Sequence, residues 1–282
     1  MVGVGVGSWE LPLRTIMFKY SFFCLIFVVQ LFCLTIPVWA QDNTQVVNSD
    51  RPDRTQGPAV VPPGTVQIET GLQYQKDKSA NPPTKEFLYP ETLIRVGIVP
   101  WAEIRFNAEY KQVSHKATSE HAVMREKGFN NVQVGTKLKF YEGKGAIPAI
   151  GFQGNITLPW GSNSFRPARV SPEGALVFSN KITDKLDVQY NVGYGRLPGE
   201  DTYQGKAYYA IGTNLKLIDN LQCYGEFFAQ KAKALPVENT VDVGLMVQTL
   251  PNLLLDVAMG MGVSKAASGY FVGTGLTWRL PR

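Results

Sequence analysis

The sequence predicts an all-β protein: a transmembrane antiparallel up-and-down β-barrel of about 12 strands, preceded by a cleaved signal peptide. Three observations carry that reading. From Thr65 to Leu280, apolar and polar residues alternate with period two, and helix periodicity is nearly absent. The connections between the alternating segments are short and long by turns. Aromatic residues gather near segment ends, where an apolar ring with a polar tip suits a water–lipid boundary.

Residues 1–40 read as an N-terminal extension (1–16) and a secretory signal (17–40). Lys19 precedes a long apolar core that runs to Leu34, and Pro37 ends any helix. Val38-Trp39-Ala40 then offers the small residues at the first and third positions that a signal peptidase accepts. An uncleaved helical anchor is the alternative. Cys24 and Cys33 leave with this segment, so Cys223 has no partner for a disulfide and no Cys cluster survives to hold a metal. Beyond the N-terminus no apolar run reaches the roughly 18 residues of a membrane helix. Lys and Arg total 28 against 23 Asp and Glu, a net +5 without a long like-charge block. That balance speaks against a nucleic-acid-binding arm.

Twelve alternating segments follow, at about 65–76, 87–98, 101–112, 130–140, 146–158, 173–182, 185–197, 203–217, 220–231, 237–249, 252–263 and 268–280. Each approaches or slightly exceeds the roughly 9–11 residues of a tilted membrane strand. Val66, Ile68, Leu72 and Tyr74 oppose Gln67, Glu69, Gln73 and Gln75, and the other segments repeat this division. Short turns sit at 99–100, 142–145, 183–184, 218–219 and 250–251. Longer links cover 77–86, 113–129, 159–172, 198–202, 232–236 and 264–267. An even strand count with short periplasmic turns and longer external loops is the pattern of the bacterial outer membrane. Both chain ends then fall on the short-turn side. A soluble sandwich would have to hide the apolar face against a second sheet. The barrel instead turns it toward lipid, its first partner.

Tyr74, Tyr89, Tyr110, Phe129, Trp160, Tyr194 and Tyr270 mark the loop side, and Trp101, Tyr141 and Trp278 the turn side. Twelve glycines, Gly71, Gly97 and Gly275 among them, fall on the inward face. They read either as closure geometry alone or as room for a solute or an inserted segment.

No catalytic constellation stands up, and no enzyme, cofactor or metal is expected. His115 and His121, the two histidines, are read as lying in a solvated loop at 113–129. The inward polar face is the remaining candidate. Its charges are Glu69, Arg95, Glu103, Arg105, Glu109, Lys137, Lys139, Asp187, Lys216, Glu226, Asp242, Asp256 and Arg279. Six are basic and seven acidic, so the expectation is a set of internal salt bridges and a hydrated, weakly selective lumen. A ring of one sign would select ions instead. About twelve strands lie between filled eight-stranded barrels and open porins, which leaves space for a narrow pore.

Residues 41–64 lack apolar periodicity and carry Pro52, Pro58, Pro62 and Pro63. They either dangle in the periplasm or fold into the lumen as a plug in which Arg51, Asp53 and Arg54 pair with lumen charges. Residues 65–282 form the barrel. The stretch Ser49-Asp50-Arg51-Pro52-Asp53-Arg54-Thr55-Gln56-Gly57-Pro58, with Val61-Pro62-Pro63-Gly64-Thr65-Val66-Gln67-Ile68-Glu69-Thr70-Gly71 after it, resembles the start of an outer-membrane transporter family labelled "MetA-pathway of phenol degradation". The resemblance is strongest over residues 49–74; Gln56-Gly57 stands where that family commonly has Glu-Ser. It implies an outer-membrane barrel, and its label implies uptake of aromatic compounds. The last strand, with Gly275, Trp278 and Leu280, resembles a signal for the barrel-assembly machinery, with Leu280 where an aromatic is usual.

The resulting expectation is a channel for passive passage of small solutes, aromatic or hydrophobic compounds among them. The alternative is a noncatalytic barrel that only displays the 113–129 and 159–172 loops. The expected partners are lipid, the assembly machinery and a small solute, with no nucleic acid.

Overall fold

The computed structural model describes residues 47–116, 123–196, 204–233, 235–267 and 269–280. The signal-peptide reading of residues 1–40, the start of the 41–64 segment and His121 lie outside these residues. Twelve strands close into one antiparallel barrel in which every strand pairs with its sequence neighbours, and β1 pairs with β12. They are β1 (Val66–Asp77), β2 (Thr84–Val99), β3 (Ala102–Lys116), β4 (Val123–Tyr141), β5 (Ala149–Leu158) and β6 (Ser171–Lys181). The second half comprises β7 (Leu186–Arg196), β8 (Gly205–Ile218), β9 (Leu221–Ala232), β10 (Glu238–Leu250), β11 (Leu253–Gly262) and β12 (Gly269–Arg279).

Closure follows from local pairing. Each short turn joins two strands whose ladders begin beside it: Ala102 lies opposite Val99, Leu221 opposite Ile218 and Leu253 opposite Leu250. The seam is in register from Gln67–Arg279 to Asp77–Gly269, so no edge is left exposed.

The barrel turns the burial pattern of a soluble protein inside out. Among its largest fully buried side chains are Arg95, Lys137, Gln67, Glu69 and Glu103. Outside lie Ile94, Ile104, Phe106, Ile156, Leu176, Val192, Ile211, Val243, Val257, Met259 and Val272, all exposed. Such a surface is stable only against hydrocarbon. Near the loop side, Phe87, Tyr89, Tyr110 and Phe129 form a tilted and edge-to-face row across β2, β3 and β4, with ring centroids 4.8 to 5.4 Å apart. Tyr74 and Tyr270 meet across the seam at 6.2 Å. Exposed Trp101, Tyr141 and Trp278 mark the turn side.

One loop expectation is corrected. The link expected at 113–129 is mostly ladder, because Val113 pairs with Glu126, His115 with Met124 and Lys116 with Val123. His115 therefore ends a strand. Here Ser114, His115, Arg125, Glu126 and Lys127 are mixed with Val113, Val123 and Met124 without a continuous apolar face, and above a membrane a two-stranded ladder needs none. The alternation that marks the other strands is therefore lost here, although the backbone pairing continues.

Val243 lies outward in the middle of β10 and is more than half exposed. Val243→Arg should destabilise the barrel by roughly 2–4 kcal/mol if that position sits at mid-membrane. Gly244→Ala, one residue along on the inward face, presents no charge to lipid but sets a Cβ against Tyr224 and the Val257 carbonyl, a packing defect of a different kind. Denaturant unfolding in lipid vesicles measures the first effect, and an unchanged midpoint for Val243→Arg would contradict a lipid-facing β10.

Candidate functional site

Alternation aims one row of side chains from each strand into the barrel, and closure decides which rows face one another. The six basic and seven acidic inward residues are mixed along the chain but sorted in space. Arg95 of β2, Arg105 of β3 and Lys137 of β4 stand on adjacent strands, with Glu69 of β1 and Glu103 of β3 among them. Glu226, Asp242 and Asp256 stand on β9, β10 and β11, across the barrel. One wall is therefore dominated by cations and the opposite wall by carboxylates.

Residues 47–64 run between these walls. Val47 packs with Tyr224, Met246, Leu254, Ala258 and Phe271, which anchors the start of the segment to the β9–β12 side. Asp50 then reaches the cationic wall. Its carboxylate accepts from Lys137 Nζ at 2.7 and 2.9 Å and bonds Arg105 Nη1. Arg95 Nη1 lies 3.3 Å away, and the Asp50 N–H donates to Glu69 Oε2 at 2.9 Å. Arg95 also holds Glu103 through Nε at 2.8 Å and Nη2 at 2.9 Å, and Glu69 through Nη1 at 3.0 Å. Its remaining donors reach the Asn48 and Ala59 carbonyls. Buried charge is tolerated because nearly every lone pair and proton is matched. Burial alone would raise the Asp50 carboxyl, but Arg95, Lys137 and Arg105 outweigh that and hold it far below the ordinary carboxylate range.

The next residues turn to the acidic side. Arg51 donates to Glu91 at 3.0 Å and lies 3.5 Å from Asp256. Its guanidinium occupies a gap between Gly71 and Gly275, which face each other across the β1–β12 seam; a Cβ on either would collide with it. Glu226 accepts the Arg54 N–H at 2.8 Å, the Thr55 N–H at 2.7 Å and the Thr55 hydroxyl at 2.5 Å. The Arg54 guanidinium lies over the Phe228 ring, 4.8 Å from its centre. Gln56 is held like a strand residue: its N–H donates to Asn191 Oδ1 at 2.6 Å, and Asn191 Nδ2 donates back to its carbonyl at 2.6 Å. Val61 N–H donates to Glu103 Oε2 at 2.7 Å. The Val61 and Pro62 carbonyls press on Gly97, where a Cβ would not fit. At these positions glycine makes room for the segment.

Two cavities flank it. The one toward the longer links has a volume of about 520 Å³, and Gln73, Glu109, Lys111, Glu173, Tyr208 and Phe228 help line it. The one toward the short turns has about 220 Å³ and is lined in part by Asp187, Gln189 and Met246. Asp50 and Asp53 line both. The segment is the partition.

The other expected residues sit nearer the ends. Glu109 accepts from Asn130 at 2.7 Å. Lys139 pairs with Glu142 at 2.5 Å and Lys216 with Asp219 at 3.0 Å, both beside short turns. Arg279 donates to Gln67 at 3.3 Å. Sequence reasoning passed over Asp50, Thr55, Gln56 and Asn191. For Asp50 a signal existed in the Asp-Arg-Pro-Asp stretch; for Asn191 none did. Among the described residues no group of three His, Cys, Asp or Glu is placed to hold a metal.

Asp50→Asn leaves Arg95, Arg105 and Lys137 short of a counter-charge, and breaking such a buried set costs about 3–5 kcal/mol. Gly71→Leu fills the gap that Arg51 occupies. Both variants should keep heat-modifiable gel mobility, the mark of a closed barrel, while trypsin gains access to the Arg54–Thr55 bond; Arg51 precedes Pro52 and is not a trypsin site. Protection equal to wild type in both would show that these contacts do not seat the segment.

A family model described as "Putative MetA-pathway of phenol degradation" matches residues 49–280. No curated protein matches the chain. Among solved structures, the COG4313 outer membrane channel from Pseudomonas putida F1 superposes with a TM-score of 0.65 at 9% identity, covering 83% of this chain and 100% of that one. The NanC porin gives 0.52 at 8% identity, with 76% and 100% covered. The transport unit of the autotransporter AIDA-I from Escherichia coli gives 0.50 at 8% identity, with 85% and 95% covered. At such identities the likeness is one of fold.

Proposed function

Because the chain belongs to that family, we propose that it is an outer-membrane channel through which small solutes diffuse passively, and that residues 47–64 form a plug that narrows the passage. The observation that carries this reading is the partition between the two cavities, built from the segment and seated on charges of both walls. The fold it shares with outer membrane channels supports the same reading.

The lining supports a preference as well. The larger cavity presents Gln73, Gln75, Asn107, Asn130, Gln153 and Gln230 beside charges such as Glu109, Lys111 and Glu173, with Tyr208, Tyr209 and Phe228 as its aromatic residues. Amides desolvate a polar solute at little cost because they replace the bonds that water made. A purely hydrophobic solute gains little along such a path. We take the substrate class to be small water-soluble compounds, and the aromatic ones among them to be those carrying hydroxyl or carboxyl groups.

Liposome swelling with the purified protein tests the solute range. Small polar solutes and phenols should give swelling rates that fall with size, and no swelling by any solute would favour a barrel that only displays its loops. Single-channel recording tests the plug. Deleting residues 41–60 should raise conductance severalfold while the barrel stays heat-modifiable, and an unchanged conductance would discard the plug.

A further inference from the structure

The segment meets the acidic wall at a place where carboxylate faces carboxylate. Asp242 of β10 and Glu226 of β9 are direct cross-strand partners on the inward face, and both are more than nine-tenths buried. Glu226 uses its two oxygens on the segment, through Arg54 and Thr55. Neither oxygen of Asp242 has a donor among the described residues, nor does the neighbouring Tyr224 hydroxyl have a partner. Asp53 of the segment completes the group, and it also stands in the partition between the two cavities.

The surroundings offer Asp53 little relief. Facing it are Glu226 and Tyr224 of β9 and Asp242 of β10. Asp187 of β7 lines the smaller cavity with it, and Asp50 and Arg54 are its neighbours in the segment. The nearest cations are engaged elsewhere, Arg51 with Glu91 and Asp256 and Arg54 over the Phe228 ring. Opposed carboxylates in an enclosed site cannot all be ionised at once, and they relax by sharing protons.

We propose that Asp53 and Asp242, set against Glu226, form a proton-binding site that latches the plug, so that loss of these protons drives residues 52–56 off the acidic wall and joins the two cavities. This rests on the plug reading above. Burial first, then the charges of Glu226 and Asp50, push the Asp53 carboxyl well above its ordinary range. A group whose value is raised in the seated state favours seating fully below the ordinary carboxylate range, and loses that contribution as pH rises through the raised value. Asp50 has the opposite sign. Its seating contribution holds above the ordinary range and fails only in stronger acid. The plug is therefore pinned at Asp50 under mild conditions and released at Asp53 on the alkaline side.

Single-channel conductance of the full chain, recorded from about pH 5 to about pH 9, tests the latch. Each proton released can shift the seated–unseated equilibrium by up to about tenfold per pH unit, so wild-type conductance should climb severalfold across the range. Asp53→Asn and Asp242→Asn, which imitate the protonated groups, should stay at the acid-side level throughout. A flat wild-type profile, or a rise preserved in both variants, would overturn the proposal. The 41–60 deletion separates the two readings: if it conducts no better than the wild type does at about pH 5, the plug itself fails. An open deletion beside a flat wild type removes the latch alone. Should Asp242→Asn lose heat-modifiable mobility, Asp53→Asn decides, since its site lies outside the barrel wall.

Discussion

The structure depends on keeping buried charge in balance. A membrane barrel must turn its apolar side chains outward, and the alternation of a strand then commits every other residue to the interior. Arg95, Glu69, Glu103 and Lys137 are among those residues and are completely buried, and Arg105 beside them is nearly so. Taken as charges, the three cations outnumber the two carboxylates of that wall. Asp50 supplies the missing negative charge, from outside the barrel sequence. The segment is thus part of the electrostatic core.

Much of this was legible from sequence and some was not, for reasons that differ by residue. All twelve strands could be read because lipid on one side and water on the other imposes a period of two along each of them. Where that contrast lapses, as at Val113–Lys116 and Val123–Phe129, the ladder continues unseen, since pairing of backbone does not require an apolar face. The inward charges were legible one by one from parity. Their separation into a cationic and an acidic wall was not, because it depends on β2–β4 and β9–β11 standing across from each other after closure. Nor could composition reveal Asn191, whose amide mimics a neighbouring strand for Gln56. That role belongs to a position, and the residue type alone does not announce it.

The two ends of the Asp-Arg-Pro-Asp stretch show how similar side chains acquire opposite tasks. Asp50 and Asp53 are three residues apart, and both are carboxylates beside an arginine in sequence. One meets three cations and is held ionised; the other meets carboxylates and is pressed toward neutrality. The difference comes from which wall each one touches. A segment that crosses a polarised lumen therefore carries two kinds of attachment, one strong over a wide range and one conditional.

The Gly71–Gly275 pair has a consequence for assembly. These glycines belong to the first and last strands, the pair that must zip together to finish the cylinder, and the side chain between them belongs to neither. Arg51 touches Glu91 beside one of these strands and Asp256 beside the other, so it bridges the join like a rivet through two plates. The seated N-terminal segment thus ties the first strand's side of the join to the last strand's side. A cylinder sealed without its rivet would keep a notch in its wall at the one place where the chain has to meet itself.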